Sequence, residues 1–200
     1  GSKNQAILGY LHLLRDADLQ EEHSEYLEKA VEAGEKSEEI LTLAKRLQEI
    51  EEADWVGEKD IVKVLNHIIR DISDMVNSEN VEVKRDYAGD VGKVKGNHSL
   101  KVLFSHILKI RIRNSDCDRI RIKVSEKGNE ILVIIEDDGN ELPENVKELF
   151  KGRLYTGETS GVGGVRCHML REIAEYEDIE VKAKASELGG ARFDVCLEKK

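Results

Sequence analysis

The chain has 200 residues, 40% of them hydrophobic and 36% charged, a composition that fits one large globular domain or two small ones. A formal net charge of −10 disfavours a nucleic-acid partner, because phosphate binding needs a basic surface. No apolar run approaches the roughly 20 residues of a membrane span, so we expect a soluble cytoplasmic module without membrane contact, although a longer parent protein could carry an anchor upstream. Three widely spaced cysteines suit a reducing compartment and give no metal-ligand pattern.

The first quarter of the chain has the pattern of two helices. Residues 3–52 contain no proline and little glycine, and apolar residues recur there at helical spacing. The main apolar stripe consists of Ile7, Leu11 and Leu14 in the first helix and Ile40, Leu43, Leu47 and Ile50 in the second. The polar stretch 15–22 is too short for a crossover, so we predict an antiparallel helical hairpin over residues 1–53.

A second apolar stripe on the second helix predicts self-association. It is narrower and includes small residues that allow close helix approach: Leu27, Ala30, Gly34, Leu41 and Ala44. One hairpin cannot bury two stripes, whereas two hairpins paired as a four-helix bundle bury both. We therefore predict a homodimer through this segment. The alternative is a hairpin packed on the C-terminal part of its own chain.

Residues 54–200 mix helical and strand patterns. Helical spacing marks the segments 60–76, 100–112 and 165–176, and strand patterns mark 81–87, 119–124, 131–135, 179–185 and 191–197. Gly128-Asn129 and Gly189-Gly190 fit hairpin turns between neighbouring strands. The predicted fold class is α+β: a helical hairpin, followed by an α/β sandwich with a mixed sheet and helices on one face.

An acidic turn follows the apolar strand 131–135. It contains Asp137, Asp138, Gly139 and Asn140, and a carboxylate at a strand end faces whatever lies above the sheet. Roughly 20 residues further on comes Gly161-Val162-Gly163-Gly164. Together the two motifs are typical of a nucleotide site. Taken separately, they also fit a capped turn and a plain loop.

The order of these features resembles the core of a sensor histidine kinase. The hairpin, with Ile7-Leu8-Gly9-Tyr10-Leu11-His12-Leu13-Leu14, is similar to that family's dimerisation and histidine-phosphotransfer domain. Residues 54–200 resemble its catalytic ATP-binding domain, of the GHKL type. Asp54-Trp55-Val56 looks like the entry to that domain, and residues 189–195 resemble its last strand.

This resemblance implies a nucleotide site for ATP or ADP. Asp137 would hold the adenine amino group, since a carboxylate accepts from an amine donor, and Gly139 would let the backbone approach the base. Gly161 and Gly163 would open the next helix and offer backbone donors to phosphates. Besides a second copy of the chain, the implied partner is a response-regulator receiver domain or another signalling protein.

Four positions in the predicted helix 100–112 depart from the family pattern: His106, Lys109, Ile110 and Arg111. Ile110 stands where the family has a magnesium-binding asparagine, and Lys109 where it has an acidic or polar residue. Magnesium takes oxygen ligands, which an isoleucine cannot supply, so we expect no metal ligand there and a degenerate site. Glu141 also replaces a glycine of the acidic turn, and its charge would repel a phosphate tail.

No histidine fills the family's phosphoacceptor position, which would lie ahead of Ile7. His12 is in the right helix but past the expected place and flanked by leucines, so it is a weak candidate that also fits a residue of the helix surface. His23 lies in or near the hairpin turn. The sequence therefore identifies no catalytic residue.

The arginine-rich segment 110–122 allows a second interpretation. Residues 110–113 and 119–122 could form a β-hairpin with one basic face, which would invalidate the helix alignment. We favour the helix because a helical stripe runs through Leu100, Leu103, Phe104, Ile107, Leu108 and Arg111. The arginines could bind a phosphate without metal, or pair with Asp116, Asp118 and other acids nearby.

Three functions fit these observations. We prefer a histidine-kinase-like signalling protein, a pseudokinase, whose fold and dimerisation are kept while its Mg-ATP chemistry is weakened or lost. The first alternative is an active ATP-dependent histidine kinase whose phosphoacceptor lies outside these residues. The second is a phosphotransferase that relays phosphate to response regulators through His12 or His23.

Overall fold

A computed structural model describes residues 2–15, 57–89, 91–150 and 162–200, together with single positions and short segments between 23 and 41. Contacts between residues divide the chain into two units, Gly1–Glu52 and Ala53–Lys200.

The first unit contains helix α1, Ser2–Arg15. Further along, the described residues 23, 27, 29–31, 33–34, 37 and 41 are helical, and Leu27 and Val31 among them are buried. Gly34 lies against α1, since a β-carbon added to it would come within 2.7 Å of Leu8 Cδ2. The antiparallel hairpin stays a prediction, because its turn and the second-helix residues Ile40, Leu43, Ala44, Leu47 and Ile50 lie outside the described residues.

The second unit alternates strands and helices along the chain. In order, its elements are β1 (Gly57–Asp60), α2 (Ile61–Asp71), α3 (Ser73–Ser78), β2 (Glu82–Tyr87), β3 (Lys93–Gly96), α4 (Ser99–Asn114), β4 (Arg119–Lys127), β5 (Glu130–Asp137), α5 (Glu144–Leu149), α6 (Val162–Tyr176), β6 (Glu180–Ala185) and β7 (Ala191–Glu198). The Asp60 side chain accepts a hydrogen bond from Lys63 N at 3.1 Å, which fixes the start of α2.

Five strands form a mixed sheet in the order β2-β4-β5-β7-β6. β2 pairs in parallel with β4, and the other three pairings are antiparallel. The predicted hairpin turns are confirmed: Gly128 joins β4 to β5 with a φ of 64°, and Gly189 lies between β6 and β7 with a φ of 112°. A second, two-stranded sheet pairs β1 with β3.

One face of the large sheet is apolar and the other is charged. The apolar face is buried along the central strands and contains Ile120, Ile122, Val124, Ile131, Val133, Ile135, Phe193 and Val195. Helix α4 contacts α2, α6 and β5, so the core lies between the helices and this face. The opposite face and both edge strands, β2 and β6, carry charged side chains. The predicted α+β fold with a mixed sheet is therefore confirmed.

Three details differ from the sequence prediction. Helix α4 runs unbroken through Arg111 and Arg113 to Asn114, so the alternative β-hairpin over 110–113 is wrong. The helix predicted over 60–76 is interrupted at Ile72, which separates α2 from α3. The short elements β1, β3 and α5 were not predicted, because four to six residues are too few to show a period. Among the described helices, none has the length and apolar character that crossing a membrane requires.

Candidate functional site

Asp137 ends strand β5 on the apolar face, and its side chain is 1% exposed. Burial of a carboxylate requires partners, and Asp137 has a charged one. Arg111 of helix α4 donates from Nε to Asp137 Oδ2 at 2.7 Å and from Nη2 to Oδ1 at 3.1 Å. The guanidinium and the carboxylate therefore form a two-pronged ion pair inside the protein.

Arg111 is held by more than this carboxylate. Its Nη2 also donates to the carbonyl oxygen of Asn140, the last residue of the acidic turn. Its own carbonyl accepts from Ser115 Oγ and, at 3.7 Å, from Cys117 Sγ. The Arg111 side chain is 4% exposed, so the last turn of α4 is fastened to the end of β5.

Close backbone packing explains the glycines of this region. A β-carbon on Gly139 would come within 2.1 Å of the Ser115 carbonyl oxygen, which is an impossible distance. A β-carbon on Gly190 would come within 2.3 Å of Asp137 Oδ1. The amide of Gly139 donates to Asp137 Oδ1 at 3.0 Å. Position 139 therefore needs a glycine because the protein's own backbone, at Ser115, lies too close for a side chain.

The remaining polar residues of the acidic turn also have partners within the chain. Asp138 Oδ1 accepts from the amides of Asp118 and Arg119 at 3.1 and 2.9 Å, which fixes the start of β4. Asn140 Nδ2 donates to Asp116 Oδ2 at 3.1 Å. Among the expected neighbours of the arginines, Asp116 and Asp118 do not pair with Arg111, which binds Asp137.

The positions where the family resemblance places a metal ligand do not suit one. Ile110 is 3% exposed and belongs to the apolar core, so it offers no oxygen ligand. His106 is buried and Lys109 is half-buried on the same helix. Within the part of the chain that the structure describes, no group of three or more His, Cys, Asp or Glu side chains is placed to hold a metal ion. The apolar side chain at position 110 therefore does not suit magnesium.

The other predicted site residues belong to other elements or lie outside the described part of the chain. Gly161 lies outside the described residues, and Gly163 is the second residue of α6. His12 is half-buried in α1, and His23 is exposed. Glu141 is paired with Lys147 Nζ at 2.9 Å, and this hydrogen bond lowers the pKa of the Glu141 carboxyl.

A second buried carboxylate lies one residue before Asp137, on the charged face of the sheet. Glu136 is 0% exposed, with Arg121 Nη2 at 2.7 Å, Lys123 Nζ at 3.4 Å and Ser186 Oγ at 3.3 Å. Burial by itself raises the pKa of Glu136, but the hydrogen bonds and charges of Arg121 and Lys123 outweigh it and hold the pKa below its usual value. The sequence patterns did not identify this cluster.

The Arg111–Asp137 pair was also missed, although the sequence contained a signal for it. Arg111 falls on the apolar stripe of α4, and a charged residue on a buried stripe needs an oppositely charged partner. An aspartate at the inner end of the strand is the matching residue. Only the packing of α4 against β5 brings the two within hydrogen-bonding distance.

Comparison with known proteins agrees with this fold. A sequence profile of the family described as histidine kinase-, DNA gyrase B- and HSP90-like ATPase matches residues 97–200. The nucleotide-free catalytic domain of the histidine kinase ThkA superposes with a TM-score of 0.61 at 17% identity, covering 72% of this chain and 96% of that one. The histidine kinase AdeS of Acinetobacter baumannii gives 0.60 at 16% identity, covering 98% and 95%.

A further structure, full-length ShkA in complex with AMPPNP, gives a TM-score of 0.64 at 14% identity and covers 100% of this chain and 44% of that one. At these identities the likeness concerns the fold. No curated protein sequence matches the chain. With more than half of its residues matched by the family profile, the chain belongs to the histidine kinase-, DNA gyrase B- and HSP90-like ATPase family.

Proposed function

We propose that this chain is the core of a two-component-type signalling protein, built like a sensor histidine kinase, in which Mg-ATP chemistry is weakened or lost. This proposal depends mainly on one observation: Ile110, a buried apolar side chain on α4, stands where the family resemblance places the magnesium-binding asparagine. Phosphoryl transfer depends on a metal that neutralises the developing charge, and an isoleucine cannot bind it.

The proposed output is conformational coupling within a homodimer. Ile7, Tyr10 and Leu14 lie on one side of α1 at spacings of three and four residues, and they are 53, 70 and 49% exposed. A second copy of the chain would cover this stripe and form a four-helix bundle, although the sequence prediction assigned self-association to the narrower stripe of the second helix. Docking of a response-regulator receiver domain is the second part of the proposal and follows from the family resemblance.

Calorimetric titration of the purified chain with ATP, with and without magnesium, tests the loss of chemistry. We expect no magnesium-dependent binding. Magnesium-dependent binding would contradict the proposal and favour an active kinase whose phosphoacceptor lies elsewhere. Phosphate transfer from a phosphorylated receiver domain to His12 or His23, without nucleotide, would instead favour the phosphotransferase alternative.

Sedimentation equilibrium tests the homodimer. Tyr10→Glu places a charge in the exposed apolar stripe of α1 and should shift the chain towards monomer. His23→Glu introduces a similar charge at an exposed helical position outside that stripe and is the matched control. If both variants and the parent chain sediment as monomers, or all three as dimers, the stripe is not the dimer interface.

A further inference from the structure

We propose that Arg111 is a built-in occupant of the base-recognition carboxylate, and that removing its side chain uncovers a site for a purine with an exocyclic amino group. The inference rests on the proposed function for the kind of ligand. It goes beyond that function by naming the residue that closes the site, independently of the metal.

The Asp137 carboxylate has little accepting capacity left for a ligand. An ionised carboxylate offers about four lone-pair sites. Oδ2 accepts from Arg111 Nε, and Oδ1 accepts from Arg111 Nη2 and from the amide of Gly139. The amide of Ala191 approaches Oδ1 at 3.5 Å. Because the Asp137 side chain is 1% exposed with Arg111 in place, a base amino group would have to take the place of a guanidinium N–H.

The guanidinium cannot leave this position easily. Arginine keeps its charge at all relevant pH values, and both charged groups of the pair are almost fully buried. Moving Arg111 away would strand Asp137 without its counter-ion and break the bond to the Asn140 carbonyl. The pair therefore competes with any ligand as a permanent intramolecular partner, with no loss of translational freedom.

Positions 109 and 110 of α4, where the family pattern has a polar residue and a metal ligand, offer a way to separate the role of Arg111 from that of the metal. Lys109→Asp with Ile110→Asn supplies oxygen ligands but leaves Arg111 on Asp137. We expect this double substitution alone to give no purine binding, and Arg111→Ala to give purine binding without any metal. The two defects of the site are thus separable by experiment.

The test uses nucleosides, which carry no phosphate and need no magnesium. Thermal unfolding of the full chain and of Arg111→Ala is followed by circular dichroism with adenosine or with purine riboside, which differs only in lacking the amino group. Adenosine should raise the melting temperature of Arg111→Ala by about 3–6 °C, the shift that a roughly tenfold excess over the dissociation constant produces in a domain of this size. Purine riboside should leave it unchanged.

Two controls complete the test. Adenosine should not shift the full chain, where Arg111 fills the site, nor Arg111→Ala/Asp137→Leu, where no side-chain acceptor remains at position 137. If Arg111→Ala is unfolded without ligand, the readout becomes recovery of the helical signal with adenosine and its failure with purine riboside, since a ligand that binds only the native state drives folding.

The outcomes separate the two proposals. Absence of an adenosine effect on Arg111→Ala, folded or unfolded, overturns the inference about Arg111 and leaves the loss of Mg-ATP chemistry standing. An equal adenosine effect on the parent chain also overturns it, because the site would then be open. Magnesium-dependent ATP binding by the parent chain overturns the proposed function itself.

Discussion

Glu136 and Asp137 are adjacent, buried and each paired with an arginine, yet they lie on opposite faces of the sheet. Glu136 faces the charged side, where Arg121 stands directly opposite it on β4 and is 26% exposed. Asp137 faces the core, where Arg111 comes from α4 and is 4% exposed. Arg121 can therefore reach water if Glu136 is lost, whereas Arg111 stays buried if Asp137 is lost.

The comparison shows that a carboxylate–arginine pair has different roles on the two faces of the sheet. On the charged face, a cross-strand ion pair adds modestly to the pairing of β4 with β5. In the core, the pair joins a helix to the sheet, and removing either member leaves the other charge buried without its partner. Four perturbations, each expected to change the stability of the fold, either compare the two pairs or probe one of them.

Removal of each carboxylate gives the largest difference. Asp137→Ala leaves the Arg111 charge buried without a partner and should lower the free energy of unfolding by about 3–5 kcal/mol. Glu136→Ala leaves Arg121 able to reach water and should lower it by only about 1 kcal/mol. Urea denaturation measures both. Adding Arg111→Met to Asp137→Ala should restore most of the loss, and failure to do so would show that the loss is not due to a stranded charge.

A methyl group at Gly190 tests how tightly Asp137 is enclosed. Gly190→Ala puts a β-carbon 2.3 Å from Asp137 Oδ1 and 2.7 Å from the Gly139 amide nitrogen, both held by other bonds. The expected loss of unfolding free energy is about 2–3 kcal/mol, the range for overpacking. Gly89→Ala, with no atom within 4 Å of the new carbon, is the control. Equal melting temperatures for the two variants would contradict the tight enclosure.

Exchange of arginine for lysine separates the two pairs by geometry. Arg111→Lys loses the two-pronged contact and the bond to the Asn140 carbonyl, and should lower the unfolding free energy by about 2 kcal/mol. Arg121→Lys keeps a charge in a partly exposed position and should change it by less than about 1 kcal/mol. Chemical denaturation in low and high salt measures both. Similar losses would mean that burial does not distinguish the pairs.

The smallest expected effect is that of acid on Glu136. Because the folded-state pKa of Glu136 lies below its usual 4.5, ionised Glu136 stabilises the fold above that pH, and this stabilisation is lost as the pH falls through the folded pKa. Glu136→Gln should therefore be less stable than the parent chain near neutral pH by about 1 kcal/mol. The difference should shrink on acidification. A difference that stays constant down to acid unfolding would exclude a titrating Glu136.

Much of the fold was predictable because it depends on local patterns. The alternation along β4 and β7, the glycine turns at 128 and 189, and the stripe of α4 each show their period within one segment. The strands β1 and β3 were not predictable, since each has four residues and they pair across more than 30 intervening positions. Their existence depends on tertiary packing.

The candidate site was predictable only in its residues. Asp137 and Gly139 stood out as a turn after an apolar strand, and Ile110 stood out against the family pattern. That Arg111 would bind Asp137 depends on the angle at which α4 crosses β5, which no spacing in the sequence encodes. The glycine of the turn was expected to face a ligand, and its neighbour in the structure is the Ser115 carbonyl.

The two edges of the five-stranded sheet bear on how the chain behaves at high concentration. β2 exposes Glu82, Arg85 and Asp86, and β6 exposes Lys182 and Lys184. Charged side chains on an edge strand oppose the addition of a strand from another molecule, so polymerisation through the sheet is disfavoured. An assembly that forms on concentrating the protein can therefore be traced to the helical segment by its sensitivity to Tyr10→Glu.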